Sequence, residues 1–167
     1  MIASKINGVK DVFKPIKNDK ELDSEISRVC NTLADDKSAD WKVRVNDLQR
    51  LQFIAQLYAG YSEHGQCKFS TNALVKAAGQ LVPCLSAQVL CLRSQVAKEA
   101  GTCIQMLAEA LGDDFESAAF RLLSKDALLK LMHAGKHILA EIGTTTVVGI
   151  LRNVLSSKVV QRLAQEI

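Results

Sequence analysis

Leu92-Arg-Ser-Gln-Val-Ala-Lys-Glu-Ala-Gly-Thr-Cys-Ile-Gln-Met-Leu-Ala-Glu-Ala-Leu-Gly112 is the stretch that decides the fold. Val96, Ala100, Cys103, Leu107 and Leu111 recur at three- and four-residue spacing, which is one apolar face of an amphipathic helix. Gly112 is placed to end it as a C′ residue. The same period recurs on both sides. Upstream, Trp41, Val45, Leu48, Leu51, Ala55 and Tyr58 line one face of a helix from Trp41 to about Tyr58, with Asp40 as N-cap. Lys42, Arg44, Asp47 and Arg50 fall largely off that face. Downstream, a helix is expected from about His137 to Val154.

Each of these helices has a partner before it. From Glu21, the stripe Leu22, Ile26, Val29, Cys30 and Leu33 predicts a first helix, followed by a polar loop at Asp35–Asp40. Gly60 to Lys68 breaks the pattern, and Ser70 is a second N-cap, with Leu74, Ala77, Ala78, Leu81 and Val82 behind it. Pro83 is expected to weaken or end that helix, leaving Cys84 to Leu92 as a connector. Asp113 and Asp114 suit a helix N-terminus. Phe115, Ala119, Leu122 and Leu123 continue from them, Leu128 to Met132 closes the element, and His133 to Lys136 is a short loop. One more helix begins at about Val159.

The order is therefore helix, loop, helix, three times over. The second helices start near Trp41, Arg93 and His137, spacings of 52 and 44 residues, the longer one containing the polar Gly60–Lys68 insertion. A helix-pair period of roughly 40–47 residues marks HEAT and armadillo solenoids. Each pair is amphipathic and must stack on its neighbours to hide its apolar face. The expected fold is all-α: a right-handed α-solenoid of HEAT-like helix pairs, about three repeats plus one extra helix. A plain helical bundle is the simpler alternative. Residues 1–20 have no helical period and read as a flexible lead-in, and 21–167 as the repeat domain.

Composition agrees. The 167 residues are 48% hydrophobic, 23% charged and 5% aromatic, which excludes a disordered tail or a disulfide-rich miniprotein. Two prolines and nine glycines leave too little turn chemistry for an all-β domain. A net charge of +3 is too small to indicate nucleic acid but suits an acidic partner. No apolar run, Val147–Leu151 being the longest, approaches the roughly 20 residues that span a bilayer. Apolar residues at the N-terminus are interrupted too often for a signal peptide. The five cysteines include no CxxC pair and read as reduced, mostly buried thiols in a cytosolic protein.

Catalytic and metal-binding patterns are weak. His133 and His137 are four apart, as in a HExxH zinc site, but Ala134 stands where the general base belongs, and no third ligand is placed. Gly143-Thr-Thr-Thr resembles a phosphate loop only faintly, since the second glycine and the lysine are missing. No enzyme, metal or cofactor is expected. The single tryptophan is more informative. In a solenoid the loops within successive pairs align along one edge, so Trp41, Arg93 and Lys136 would lie in a row, each at the start of a second helix. One aromatic and several cations on an edge suit an acidic protein surface. The alternatives are a core tryptophan and solvated helix starts.

Those residues also carry a family resemblance. Leu33-Ala-Asp-Asp-Lys-Ser-Ala-Asp-Trp-Lys-Val-Arg-Val-Asn-Asp-Leu48 resembles the opening of a TOG domain of the CLASP type, with its "DDK…DW-x-x-R-x-x-A-L" pattern. Leu92-Arg-Ser-Gln-Val-Ala-Lys-Glu-Ala100 resembles the family's "LRSQVVREA" segment, and His133-Ala-Gly-Lys-His-Ile-Leu-Ala-Glu-Ile-Gly143 is similar to its "NSAKVMATSG" segment. The resemblance covers about Glu21 to Ile167. It implies a tubulin-binding HEAT-repeat module of a microtubule-dynamics regulator, without catalysis or cofactor. Such a module is cytoplasmic and cytoskeletal, in the spindle or a cilium. It would act as a monomer and face β-tubulin, on free dimers or on the microtubule lattice. Carried over by position, Trp41 is the aromatic anchor flanked by Lys42 and Arg44. Arg93 with Ser94 and Gln95 is the second contact, and Lys136 the third. Arg44 could equally make a structural ion pair. Such domains have six repeats, so the chain would correspond to the N-terminal part of one. Asp47 departs from the pattern, standing near a small apolar position. A general HEAT-repeat scaffold for another protein is the alternative function, with no nucleic acid and no membrane in either reading.

Overall fold

A computed structural model describes residues 13–34, 40–60 and 67–166. Among them are eight α-helices: α1 (Asp19–Ala34), α2 (Trp41–Tyr58), α3 (Thr71–Val89), α4 (Ser94–Leu111), α5 (Glu116–Leu122), α6 (Leu128–Met132), α7 (His137–Asn153) and α8 (Ser157–Glu166). No strand occurs among the described residues. The polar loop at 35–39, most of the 60–68 insertion and residues 1–12 of the lead-in lie outside them.

Helices pack in two parallel sets, and their contacts keep the repeat register. In the first set, α1 and α3 run side by side. Asp19 binds Ser70, Asp23 binds Lys76, and Leu33 meets Gln88, separations of 51, 53 and 55 residues. In the second set, α2 meets α4 through Gln52 and Glu99, which are 47 apart. Then α4 meets α7, with Gly101 against Thr146 and Gly149 against Gln105. Near-constant separations mean neighbouring elements point the same way. This is the helix-pair stacking of an all-α solenoid, with one core cluster running from Ile16 to Val159.

The predicted caps are in place. Asp40 Oδ1 accepts from the Lys42 N–H at 3.3 Å, and Ser70 Oγ from the Ala73 N–H at 3.2 Å. Asp19 accepts from the Ser70 N–H at 2.6 Å and from its hydroxyl at 2.8 Å, tying the start of α1 to that of α3. Gly112 ends α4 with φ +55°, a conformation that side chains disfavour. In the lead-in, Ile16 is buried and the Lys14 carbonyl accepts from Arg50 Nη1 at 2.6 Å.

Three expectations need correction. First, α3 does not stop at Pro83 but runs on to Val89. Proline supplies no N–H to the carbonyl four residues back. Here that carbonyl, Gly79, instead accepts from Arg121 Nη1 of α5 at 3.2 Å. Gly79 also has no neighbouring atoms that a side chain would meet. Second, Arg44, Asp47 and Arg50 fall off the apolar stripe of α2, yet burial extends beyond that stripe to include them. They are 8%, 2% and 8% exposed, because α2 is covered by α1 on one side and α4 on another. Arg28 Nη2 reaches Asp47 Oδ1 at 2.8 Å, and Arg50 Nε reaches Glu25 Oε1 at 2.9 Å, so buried charge is paired. Third, the element from Glu116 to Met132 is two helices. Leu122, Leu123, Ala127, Leu128, Leu129 and Leu131 are all buried. One straight helix would point these positions all around its axis. Breaking at residues 123–127 lets both short helices turn them inward, and the Ser124 carbonyl accepts from the Ala127 and Leu129 N–H groups.

These carboxylates predict an acid dependence. For Glu25, burial raises the pKa, yet its bonds from Arg28 and Arg50 outweigh this and hold it below the ordinary range. Asp19 is lowered by the Ser70 N–H and hydroxyl, and Glu116 by Ser156 and Lys158. A depressed folded-state pKa gives stability that is present above the unfolded value and lost as pH falls through the folded one. The melting temperature is expected to fall as pH drops below about 4, and Glu25→Gln should flatten that slope. A profile unchanged by Glu25→Gln would remove Glu25 from this account.

Candidate functional site

Three second helices run parallel, so three N-termini lie along one edge. Each begins with the same backbone device. The Asp40 carbonyl accepts from Val43 and Arg44, that of Arg93 from Val96 and Ala97, and that of Lys136 from Leu139 and Ala140. Only the first has a side-chain cap; Arg93 and Lys136 cap nothing.

At Arg93 and Lys136 the charge pattern on this edge runs against helix stability. A helix N-terminus carries roughly half a positive charge, and acids there are favoured while cations are disfavoured. Elsewhere, α1 obeys the rule with Asp19 and Glu21 in its first turn, and α5 with Glu116, while α3 has no acid there. Helices α2, α4 and α7 have none either, although Asp40 caps α2; what sets them apart is the cations at their starts. Lys42, Arg93 and Lys136 stand there, all exposed. The edge concentrates positive charge at some cost to its helices.

Trp41 is half-buried, packed against the core on one side. Arg93 Cζ lies 4.8 Å from its ring centroid and Lys42 Nζ 5.9 Å. The ring face thus holds both cations in place at distances where a cation–π attraction operates. The structure brings together Trp41, Lys42 and Arg93, residues up to 52 apart in sequence. Ser94 and Gln95 follow on the first turn of α4 and line a groove of about 330 Å³ between α4 and α7. Gln95 Nε2 donates to Glu99 Oε1 at 3.1 Å. Lys136 sits across that groove at the start of α7, beside Ile138 on its wall.

Arg44 is placed differently. It is buried, and its Nη1 donates to Gln88 Oε1 at 3.1 Å, 3.8 Å from Cys91 Sγ. Gln88 Nε2 in turn donates to the Leu33 carbonyl at 2.8 Å. Arg44 therefore joins the ends of α1 and α3 and the connector that carries Arg93, behind the edge. Sequence reading passed over three apolar side chains here: Val43, Leu92 and Ile138, exposed by 47%, 79% and 59%. Their signal was that Val43 and Ile138 fall outside their helices' apolar stripes and that Leu92 stands in the connector before α4.

His133 and His137 do not share a helix. His133 follows α6, with Nδ1 2.9 Å from the Leu129 carbonyl, and His137 opens α7. No group of three or more His, Cys, Asp or Glu able to hold a metal occurs among the described residues. Gly143-Thr-Thr-Thr lies inside α7, its threonine hydroxyls donating to carbonyls one turn back. No helix among the described residues is long and apolar enough to cross a membrane.

Stacked helix pairs with a shared core define an all-α helical-repeat domain. The chain belongs to the CLASP N terminal family, whose pattern matches residues 22–167, and is a CLASP-type TOG-like domain. It is 30% identical over 155 residues to a CLIP-associated protein of Arabidopsis thaliana, an alignment covering 92% of this chain and 10% of that protein. The chain thus spans about one tenth of the length of that relative.

Proposed function

We propose that the domain is a tubulin-binding module of a microtubule-dynamics regulator and that the edge of α2, α4 and α7 is its binding surface. One observation carries this reading: three parallel helix N-termini share an edge where exposed Lys42, Arg93 and Lys136 gather, two of them at cap positions, and Arg93 lies over a half-buried tryptophan. Family membership supports tubulin as the partner. Trp41 is the anchor, with Lys42, Arg93, Ser94, Gln95 and Lys136 making polar and charged contacts on the β-tubulin side. Arg44 supports them from within. The module works without catalysis or cofactor, as a monomer, in the cytoplasm on microtubules. It corresponds to the first repeats of a longer domain.

Sedimentation of the purified domain with tubulin or with stabilised microtubules tests this. Binding is expected at low salt, weakening as ionic strength rises and exposed charges are screened within about 8–10 Å. Binding that ignores salt, or none at low salt, would overturn the assignment.

A further inference from the structure

We propose that Cys30 and Cys84 form an oxidisable thiol pair which a peroxide converts into a disulfide joining α1 to α3. Their sulfurs are 3.9 Å apart. Cys30 is half-buried at the rim, open to a small oxidant, and Cys84 is buried beneath it. The other described thiols are differently placed. Cys103 is fully buried, Cys67 Sγ lies 3.3 Å from the Phe69 carbonyl, and Cys91 lies under Arg44. Of these, Cys30 and Cys84 alone stand with sulfurs in contact among the described residues.

The two thiols are also chemically unequal. Contact with Cys84 lowers the pKa of Cys30 below that of an ordinary thiol, so Cys30 is the one that ionises. Contact with Cys30 and burial both push Cys84 up. Thiolate is the form that attacks peroxide. Cys30 thiolate attacks one peroxide oxygen, the O–O bond breaks, and hydroxide leaves to take the proton that Cys30 released, as water. Cys30 is then a sulfenic acid. The Cys84 sulfur attacks the Cys30 sulfur, the S–O bond breaks, and the departing hydroxyl takes the Cys84 proton as a second water. Two thiols are oxidised by two electrons and one peroxide is reduced. The sulfurs must close from 3.9 Å to roughly 2 Å for the bond to form. In a reducing compartment such a bond is transient and serves sensing rather than folding. It would lie one turn from the Leu33–Gln88–Arg44 contacts behind Trp41.

The test uses the whole chain, treated with hydrogen peroxide, alkylated, and mapped by mass spectrometry without reductant. A Cys30–Cys84 peptide lighter by two hydrogen atoms and separated by dithiothreitol is expected. In Cys84→Ser, Cys30 should be trapped by dimedone as sulfenic acid. In Cys30→Ser, Cys84 should stay unmodified over the same time. Circular dichroism establishes that both variants are folded. A linked peptide from any other cysteine pair, or Cys30 and Cys84 both free or Cys30 over-oxidised in the wild type, overturns the proposal.

Discussion

Gly143→Ala is expected to destabilise the domain by about 1–3 kcal/mol, the usual cost of forcing extra volume into a packed site. The sign is informative because alanine is the better helix former by about 1 kcal/mol in a helix interior. Gly143 lies within α7. A Cβ there would sit 2.8 Å from the Met132 nitrogen and 3.0 Å from the Leu131 carbonyl carbon. Both are backbone atoms of α6, which cannot swing away as a side-chain tip can. So α6 and α7 must separate, and the burial of Leu131, Val147 and Ile150 loosens with them. Gly79→Ala supplies the control. Gly79 lies in the middle of α3, and its added Cβ would meet nothing within 4 Å. That variant should be more stable by about 0.5–1 kcal/mol, from helix propensity alone. Chemical denaturation of the two variants reads both effects. If Gly143→Ala were as stable as the wild type, the close approach of α6 to α7 would be wrong.

The same glycine shows where sequence reading stops. Gly143-Thr-Thr-Thr sits in a helical period, which the sequence displays, but the reason for the glycine is a neighbour's backbone, which it does not. Helix existence and order were legible because one-sided burial leaves a stripe, as at Leu22, Ile26, Val29 and Leu33. Where burial is not one-sided the stripe fails. In α2, Arg44, Asp47 and Arg50 fall off the apolar stripe because their types are charged, yet partners on α1, α3 and the lead-in pair with them and they are buried. Pro83 read as a terminator because the rule counts bonds within one helix, whereas Arg121 comes from another. At the edge, Trp41, Arg93 and Lys136 were expected to lie in a row from the repeat spacing. The structure adds that Trp41 and Arg93 touch, while Lys136 stands across a groove. Contact between residues 52 positions apart depends on how closely α2 and α4 pack.

Arg93→Asp and Lys136→Asp, combined, are expected to abolish measurable tubulin binding while leaving the free domain at least as stable as the wild type. Each substitution moves a cation off a helix N-terminus, where it costs about 0.3–1 kcal/mol. Each also installs a favoured N-cap, worth about 1 kcal/mol, where neither side chain now caps its helix. Against this stands the Arg93 contact with Trp41, worth about 0.5–1 kcal/mol at an exposed site. The net change in stability should be zero or favourable. Binding moves the other way, because like charges then face an acidic surface. Trp41→Ala should act through a different term, lowering affinity about 10- to 100-fold, as truncating a central aromatic does. It removes no charge, so the salt dependence of the remaining binding should persist. Because Arg93 rests on the ring, Trp41→Ala and Arg93→Ala should cost less together than the sum of the two, as residues in contact do. A structural role alone would make every edge variant less stable. Thermal melts and tubulin titrations on the same preparations separate the two explanations. Aspartate variants that melt lower, or bind tubulin as before, would mean that the cations on this edge serve the fold and not a partner.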